Sequence, residues 1–384
     1  MSLSRHLASL FVSLSLAAGL ASAGDCRAIL DAGSSGTRLY VYEDQGGKWV
    51  EHEGPKVGAL ADPIRQIRGK TWPDVMVVTA EVINTLEKIK TDGPVDAKGK
   101  PKWKGFDWSK DCSLRSVSIY ATAGMRIAEQ EKPKQSAQVW DLLSKVLSNR
   151  LGKDVQVQAK TLSGFEEGLF AWMTLNAGGH GKDFGIIEMG GASAQVTFPC
   201  TDCEESRPVL IDGAPLKMFS YSYLGLGGDE AVNTLGMQPV CAFAAAKNDP
   251  TWNAQRCADT MHLKTEQGFV DPYNFGAQGR GTVKQMPQQL SGVLKWYATG
   301  AFSYMADSDV DACCVQGSNK CFQPETSCFR SVYYRKYIQD LGIPAYEKAG
   351  TSWTLGAMLC DRNNCLAQVP QRQCHWMKDG CLVN

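Results

Sequence analysis

Across residues 26–42 the apolar positions come in short blocks around a small-residue turn. Ala28-Ile29-Leu30 is followed by Asp31-Ala32-Gly33-Ser34-Ser35-Gly36 and then by Leu39-Tyr40-Val41-Tyr42. This pattern predicts strand, turn, strand. Residues 114–120, 155–159 and 184–198 also read as strands, the last with a turn inside it. Between them the spacing becomes helical. Val77, Val78, Val82, Leu86 and Ile89 recur at helical intervals in 73–90, 136–151 keeps the same pattern, and Phe165, Leu169, Trp172 and Met173 share one side of 164–176. Residues 91–110 read as a polar loop. Strands alternating with helices argue an α/β architecture.

Beyond residue 206 the pattern weakens. A Gly-rich turn (Gly225, Gly227, Gly228) opens a helix at Asp229-Glu230-Ala231. Residues 291–305 are predicted helical, 313–328 form a cysteine-rich excursion, and 352–359 give a last helix. One similarity is internal: Ile29-Leu30-Asp31-Ala32-Gly33 lines up with Ile186-Ile187-Glu188-Met189-Gly190, and both continue through small residues into an alternating strand. Two such hairpins in one chain point to two related halves.

The first residues set a compartment. Arg5 and His6 precede an apolar stretch at 7–20, and Ala21-Ser22-Ala23 supplies a small-x-small cleavage site. That is the layout of a secretory signal at residues 1–23, with an uncleaved anchor as the alternative. No later stretch is apolar long enough to span a bilayer. The 14 cysteines all follow the leader, and local pairs recur: Cys200 with Cys203, Cys241 with Cys257, Cys360 with Cys365, Cys374 with Cys381. In a secreted chain this predicts disulfides. The competing zinc reading lacks a second close pair or histidines at ligand spacing. Lys plus Arg and Asp plus Glu are 40 each, so the chain lacks the basic excess of a nucleic-acid binder, and an anionic ligand must be held locally.

The two hairpin turns carry the candidate chemistry. Gly/Ser turns leave backbone N–H groups facing outward, a concavity suited to phosphate. Gly33, Ser34, Ser35 and Gly36 form one such cradle; Gly190, Gly191, Ala192 and Ser193 form the other. The acid that opens each turn, Asp31 or Glu188, suits a hard divalent cation, Mg²⁺ or Ca²⁺, held directly or through water. Glu166 and Glu167 stand in the first turn of the 164–176 helix. Either can serve as a base for water, and either can simply favour the helix dipole there.

With these residues in view the chain resembles the nucleoside triphosphate diphosphohydrolases, the apyrases or ecto-nucleotidases. The resemblance rests on five stretches in order: DAGSSGTR at Asp31–Arg38, ATAGMR at Ala121–Arg126, LSGFEEGLFAW at Leu162–Trp172, GGASAQVTF at Gly190–Phe198 and SWTLGAML at Ser352–Leu359. A weaker match covers 221–225. The resemblance implies two ribonuclease-H-like, actin-like domains with the active site between them: 24–158, with 345–384 returning to it, and 159–344. It implies hydrolysis of the terminal phosphate of nucleoside tri- and diphosphates. By the same resemblance Glu167 is the general base, and Ser193 and Gln195 position the attacking water. Ser34, Ser35, Gly36, Thr37 and Arg38, with Thr122 and Gly190–Ser193, hold phosphate, and Asp31 and Glu188 serve the metal. Glu188 departs from the family's usual Asp, which leaves Mg²⁺ against Ca²⁺ open. Tyr346 is the candidate for stacking on the base. The alternatives are an exopolyphosphatase or guanosine pentaphosphate phosphatase on the same scaffold, and a secreted nucleotide-binding module without turnover.

Overall fold

The computed structural model describes residues 24–66, 74–203, 206–245, 249–263, 293, 295–304, 313–314, 324–369, 374–377 and 380–383. The expected leader at 1–23 and most of the 313–328 excursion lie outside them.

The first hairpin is β1 (Gly24–Gly33) and β2 (Gly36–Gln45), paired antiparallel and turning at Ser34-Ser35. β3 (Lys48–Val57) adds antiparallel to β2. A short α1 (Asp62–Arg65), α2 (Val75–Lys88) and α3 (Trp108–Asp111) lead to β4 (Cys112–Ala121), parallel to β1. α4 (Ala123–Glu131) and α5 (Pro133–Leu151) lead to β5 (Gln156–Thr161), parallel to β4 and running past the expected boundary at 158. The sheet order is β3-β2-β1-β4-β5. Alternation decides its faces. Ala28, Leu30 and Ala32 pack with α2 and α5, while Ile29 and Tyr42 face the other way.

α6 (Gly164–Leu175) then leads into a second sheet. Its hairpin is β6 (Phe184–Met189) and β7 (Ser193–Pro199). β8 (Arg207–Ile211) and β9 (Ala214–Leu224) form another hairpin, with β9 antiparallel to β7. α7 (Ala231–Leu235) and α8 (Ala254–Ala258) precede β10 (Lys295–Gly300), parallel to β6. α9 (Pro324–Asp340) precedes β11 (Glu347–Lys348), parallel to β10. The order is β11-β10-β6-β7-β9-β8. Apart from the edge strand β8 this repeats the first sheet: three antiparallel strands, then two parallel ones. The two halves are ribonuclease-H-like, as the resemblance implied. The prediction of a helix at 291–305 is corrected. Trp296, Tyr297 and Ala298 sit in a central strand buried on both faces, where alternation gives way to a continuous apolar run that reads equally as helix.

α10 (Thr354–Asn363) closes the fold, and β12 (Cys374–Met377) pairs with β13 (Gly380–Val383) in a separate hairpin. α6 and α10 lie between the two sheets and pack on each other. Phe170, Trp172, Ala357 and Met358 join Ile29, Tyr42, Ile186 and Tyr297 in one core. The Tyr42 hydroxyl ties α10 to β2 through Thr354 Oγ1 at 2.7 Å.

The described disulfides include three of the expected local pairs, Cys200–Cys203, Cys241–Cys257 and Cys360–Cys365, together with Cys314–Cys328 and Cys26–Cys112. Cys200 and Cys203 are thus spent on a disulfide and not on zinc. Cys26–Cys112 closes 86 residues and joins β1 to β4, worth roughly 4–5 kcal/mol in the chain-entropy account. The side chains of Cys374 and Cys381 lie outside the described set. Among the described residues no helix is long and apolar enough to cross a membrane.

Gly356 lets α10 approach α6 at backbone range, because a Cβ there would overlap the Phe170 carbonyl. Gly356→Ala should therefore lower stability by about 1–3 kcal/mol. Thermal melting reads this against Gly350→Ala, where a Cβ meets nothing within 4 Å. Equal melting temperatures for the two variants would mean that the helix contact is loose.

Candidate active site between the two sheets

Both hairpin turns open onto one cleft. It is lined by Asp31, Ser34 and Ser35 from the first turn, Thr122 before α4, Glu167 on α6, and Glu188 with Gly190–Ser193 from the second turn. The turns face each other closely, since a Cβ on Gly191 would overlap Ser34 Oγ. The sequence-derived groups are therefore brought together from positions far apart in the chain.

The start of α6 separates its two acids. Ser163 caps the helix: its Oγ accepts from the Glu166 N–H at 3.2 Å, and Glu166 Oε2 accepts from the Ser163 N–H at 2.8 Å. Glu166 also pairs with Lys160 at 2.7 Å. This is a reciprocal capping box. Glu167, one residue on and about 100° around the helix, turns into the cleft and is 5% exposed. Gly168 allows the approach, because a Cβ there would collide with Thr197 and Ser220 on β7 and β9.

Glu167 accepts from Arg126 and Gln195. Arg126 of α4, 1% exposed, donates through Nη2 to Glu167 Oε2 at 2.8 Å and to Ser193 Oγ at 2.9 Å, and through Nη1 to the Leu162 carbonyl at 3.0 Å. Gln195 Nε2 donates to Glu167 Oε2 at 3.1 Å, Ser193 Oγ at 2.6 Å and Ser222 Oγ at 3.1 Å. This fixes the amide: flipped, it would set two acceptors against each other. Gln195 Oε1 is buried with no hydrogen-bond partner among the described residues.

The other two carboxylates share the same low-dielectric space. Burial, then the nearby Glu167 charge, pushes Asp31 up to about 7, against the opposing pull of Lys56 and Arg38. Burial, then Glu167 and Asp31, raises Glu188 well above the usual carboxylate range, with Arg126 opposing. Glu188 Oε2 is buried without a partner among the described residues. Three crowded carboxylates and an orphaned carboxylate oxygen fit a divalent cation, which would relieve their repulsion. Among the described residues no three His, Cys, Asp or Glu side chains are grouped to ligate one ion directly.

The remaining expected residues are placed differently. Gly36 completes the first turn with φ +146°. Thr37 is fully buried. Arg38 pairs with Glu53 of β3 and lies outside the cleft lining. Tyr346 is half-buried against the core of the second half and is not among the described residues lining the cleft. Sequence reasoning gave no role to Arg126, Tyr40, Ser222, Gly300, Thr351 or Trp353. Arg126 and Trp353 stood inside quoted stretches. The usable signal for Arg126 was a cation in the otherwise apolar Ala121–Ala128 run.

This assembly has relatives. Residues 109–316 match the model of the GDA1/CD39 (nucleoside phosphatase) family. The chain belongs to the GDA1/CD39 family. It is 29% identical over 261 residues to probable apyrase 5 of Arabidopsis thaliana, covering 63% of this chain and 49% of that protein. It is 27% identical over 233 residues to ectonucleoside triphosphate diphosphohydrolase 8 of Mus musculus, covering 54% and 42%. The chain thus spans about half the length of the curated relatives it matches. An exopolyphosphatase structure from Cytophaga hutchinsonii shares the fold with a TM-score of 0.50 at 9% identity, covering 88% of this chain and 98% of that one. In this GDA1/CD39 chain the family match spans Arg126, α6 and the second hairpin, while Asp31 and the first turn lie before it.

Asp31 gives a pH prediction for the metal-free protein. Its carboxyl holds a proton up to about pH 7 when folded but only to about 3.8 when unfolded. Its contribution to stability is therefore fullest below pH 4 and is lost as pH rises towards 7. Asp31→Asn should melt above the parent at pH 8 by on the order of 5 °C. The gap should shrink as pH falls towards 4, and added Mg²⁺ or Ca²⁺ should close it at pH 8. A gap independent of pH between 4 and 8 would refute the shared-charge account.

Proposed function

We propose that the chain is a secreted, divalent-cation-dependent hydrolase of nucleoside tri- and diphosphates, with Glu167 as the general base. The observation that carries the reading is the buried Glu167–Gln195–Ser193–Arg126 cluster, set beside two Gly/Ser turns that come from two repeated hairpins. The family supports phosphate-ester or anhydride chemistry on nucleotides, and the disulfides together with the leader sequence support secretion. The two domains are proposed to divide near residue 158, with 345–384 returning to the first.

Phosphoryl transfer to water needs positioning and charge stabilisation more than covalent chemistry. The backbone N–H groups of the turns at Ser34-Ser35 and Gly190–Ser193 receive phosphate oxygens, with Thr122 beside them. Asp31 and Glu188 would hold a Mg²⁺ or Ca²⁺, which would supply neutralisation of phosphate charge. Gln195 Oε1 accepts one hydrogen of a water in the cleft, and Glu167 takes the other as the oxygen attacks phosphorus. The bond from phosphorus to the bridging oxygen breaks. Inorganic phosphate and a nucleotide shorter by one phosphate result. Arg126 donates to Glu167 Oε2, a contact that favours the carboxylate form able to accept the proton.

Glu167→Gln should lower kcat by roughly 10²–10⁴-fold while leaving the affinity for a non-hydrolysable analogue near that of the parent. Glu166→Gln is the matched control: Gln also serves a capping box, so activity should persist. Phosphate release from a panel of nucleoside tri- and diphosphates and inorganic polyphosphate reads both. A dead Glu166→Gln beside an active Glu167→Gln would move the base to the other carboxylate; preference for polyphosphate would favour the exopolyphosphatase reading. The same assay after exhaustive chelation should show activity lost and then restored by Mg²⁺ or Ca²⁺. Full activity without a divalent cation would remove Asp31 and Glu188 from the metal role.

A further inference from the structure

An ion pair outside the catalytic cluster joins the two halves. Arg65 ends α1 in the first half; Glu230 precedes α7 in the second. Arg65 Nη1 donates to Glu230 Oε2 at 3.1 Å and Nη2 to Oε1 at 3.2 Å. Within its own half Arg65 also meets Glu131, at the end of α4, through Nε at 3.2 Å. The Arg65 and Glu230 side chains are only 10% and 11% exposed, so this pair is worth more than a surface ion pair.

What Glu230 carries makes the pair consequential. The N–H groups of Asp229 and Glu230 both donate to the Gly191 carbonyl, at 2.8 and 2.9 Å, and that of Gly228 donates to the Gly190 carbonyl at 2.9 Å. The segment that bears Glu230 is therefore the backing of the second phosphate turn. Its neighbour Asp229 is held from within the second half by Arg330 of α9 at 2.6 Å. Two consecutive acids thus fix the turn from opposite sides, one to its own half and one to the other.

We propose that Arg65 is a positioning residue: its pair with Glu230 sets the separation of the two phosphate turns, so that both grip one polyphosphate. This rests on the proposed function for its kinetic consequence but not for its geometric one. Glu230→Gln removes the charge across the cleft and keeps Arg65–Glu131. Glu131→Gln does the reverse. With a metal–nucleoside triphosphate as substrate, Glu230→Gln should raise KM about tenfold with kcat within about twofold, and Glu131→Gln should leave both within about twofold. Adding Arg65→Gln to Glu230→Gln should cost little more. Spin labels on Lys98→Cys and Lys217→Cys, exposed positions in the two halves, should give a broader distance distribution in Glu230→Gln than in the parent. Equal effects of Glu131→Gln and Glu230→Gln, additive effects of the two changes at the pair, or an unchanged distance distribution would overturn the proposal. Absent turnover in the parent would sink the functional reading, while the labels still decide whether the pair sets the cleft.

Discussion

Arg126 buries its guanidinium where Glu167, Ser193 and the Leu162 carbonyl converge, and the cleft is arranged around that contact. The reason is electrostatic. Burial and the neighbouring Glu167 charge raise both Asp31 and Glu188 above the usual carboxylate range. A base must stay ionised there, and a buried cation beside it is the direct solution. Breaking such a pair by removing one partner typically costs about 3–5 kcal/mol, because the survivor remains buried and charged. The Ser163–Glu166 cap complements it by occupying the neighbouring acid, so that Glu167 alone of the two projects into the cleft.

Much of this was legible in the chain. The repeated apolar-apolar-acid-apolar-Gly pattern at 29–33 and 186–190 corresponds to β1 and β6, each paired antiparallel with the strand after its turn and parallel with a later strand. Asp31 and Glu188 come from matching positions of matching hairpins, and this is why two acids and two turns meet. The order of the quoted stretches carried the rest of the site. In Glu166-Glu167 the local pattern left two options, and the capping geometry separates them.

What escaped the sequence escaped for physical reasons. β10 is central and buried on both faces, so it lost the alternation that marks a half-buried strand. Topology demands it all the same, since the second half needs a counterpart to β4. Arg126 and Arg65 act through partners 41 and 165 residues away, and no local period reports such contacts. Thr37 and Arg38 continue a phosphate-binding stretch in sequence; Thr37 is fully buried, and Arg38, across the strand pair from Asp31, meets Glu53.

The same contacts restrict how the halves can move. Glu167 rides on α6, packed on β7 and β9 with Ser193 and Gln195, so the proposed base and the proposed water-positioning groups belong to one body. Arg126 comes from the other body. Beside it Ala123 and Ile127 of α4 pack on Ala192 and Leu224. A motion that separated the halves there would break a buried ion pair and expose apolar surface together. Five residues further along α4, about 7.5 Å at helical rise, Glu131 meets Arg65, which reaches Glu230 at 11% exposure. α4 therefore carries both contacts with the second half, directly through Arg126 and through Arg65 at its end.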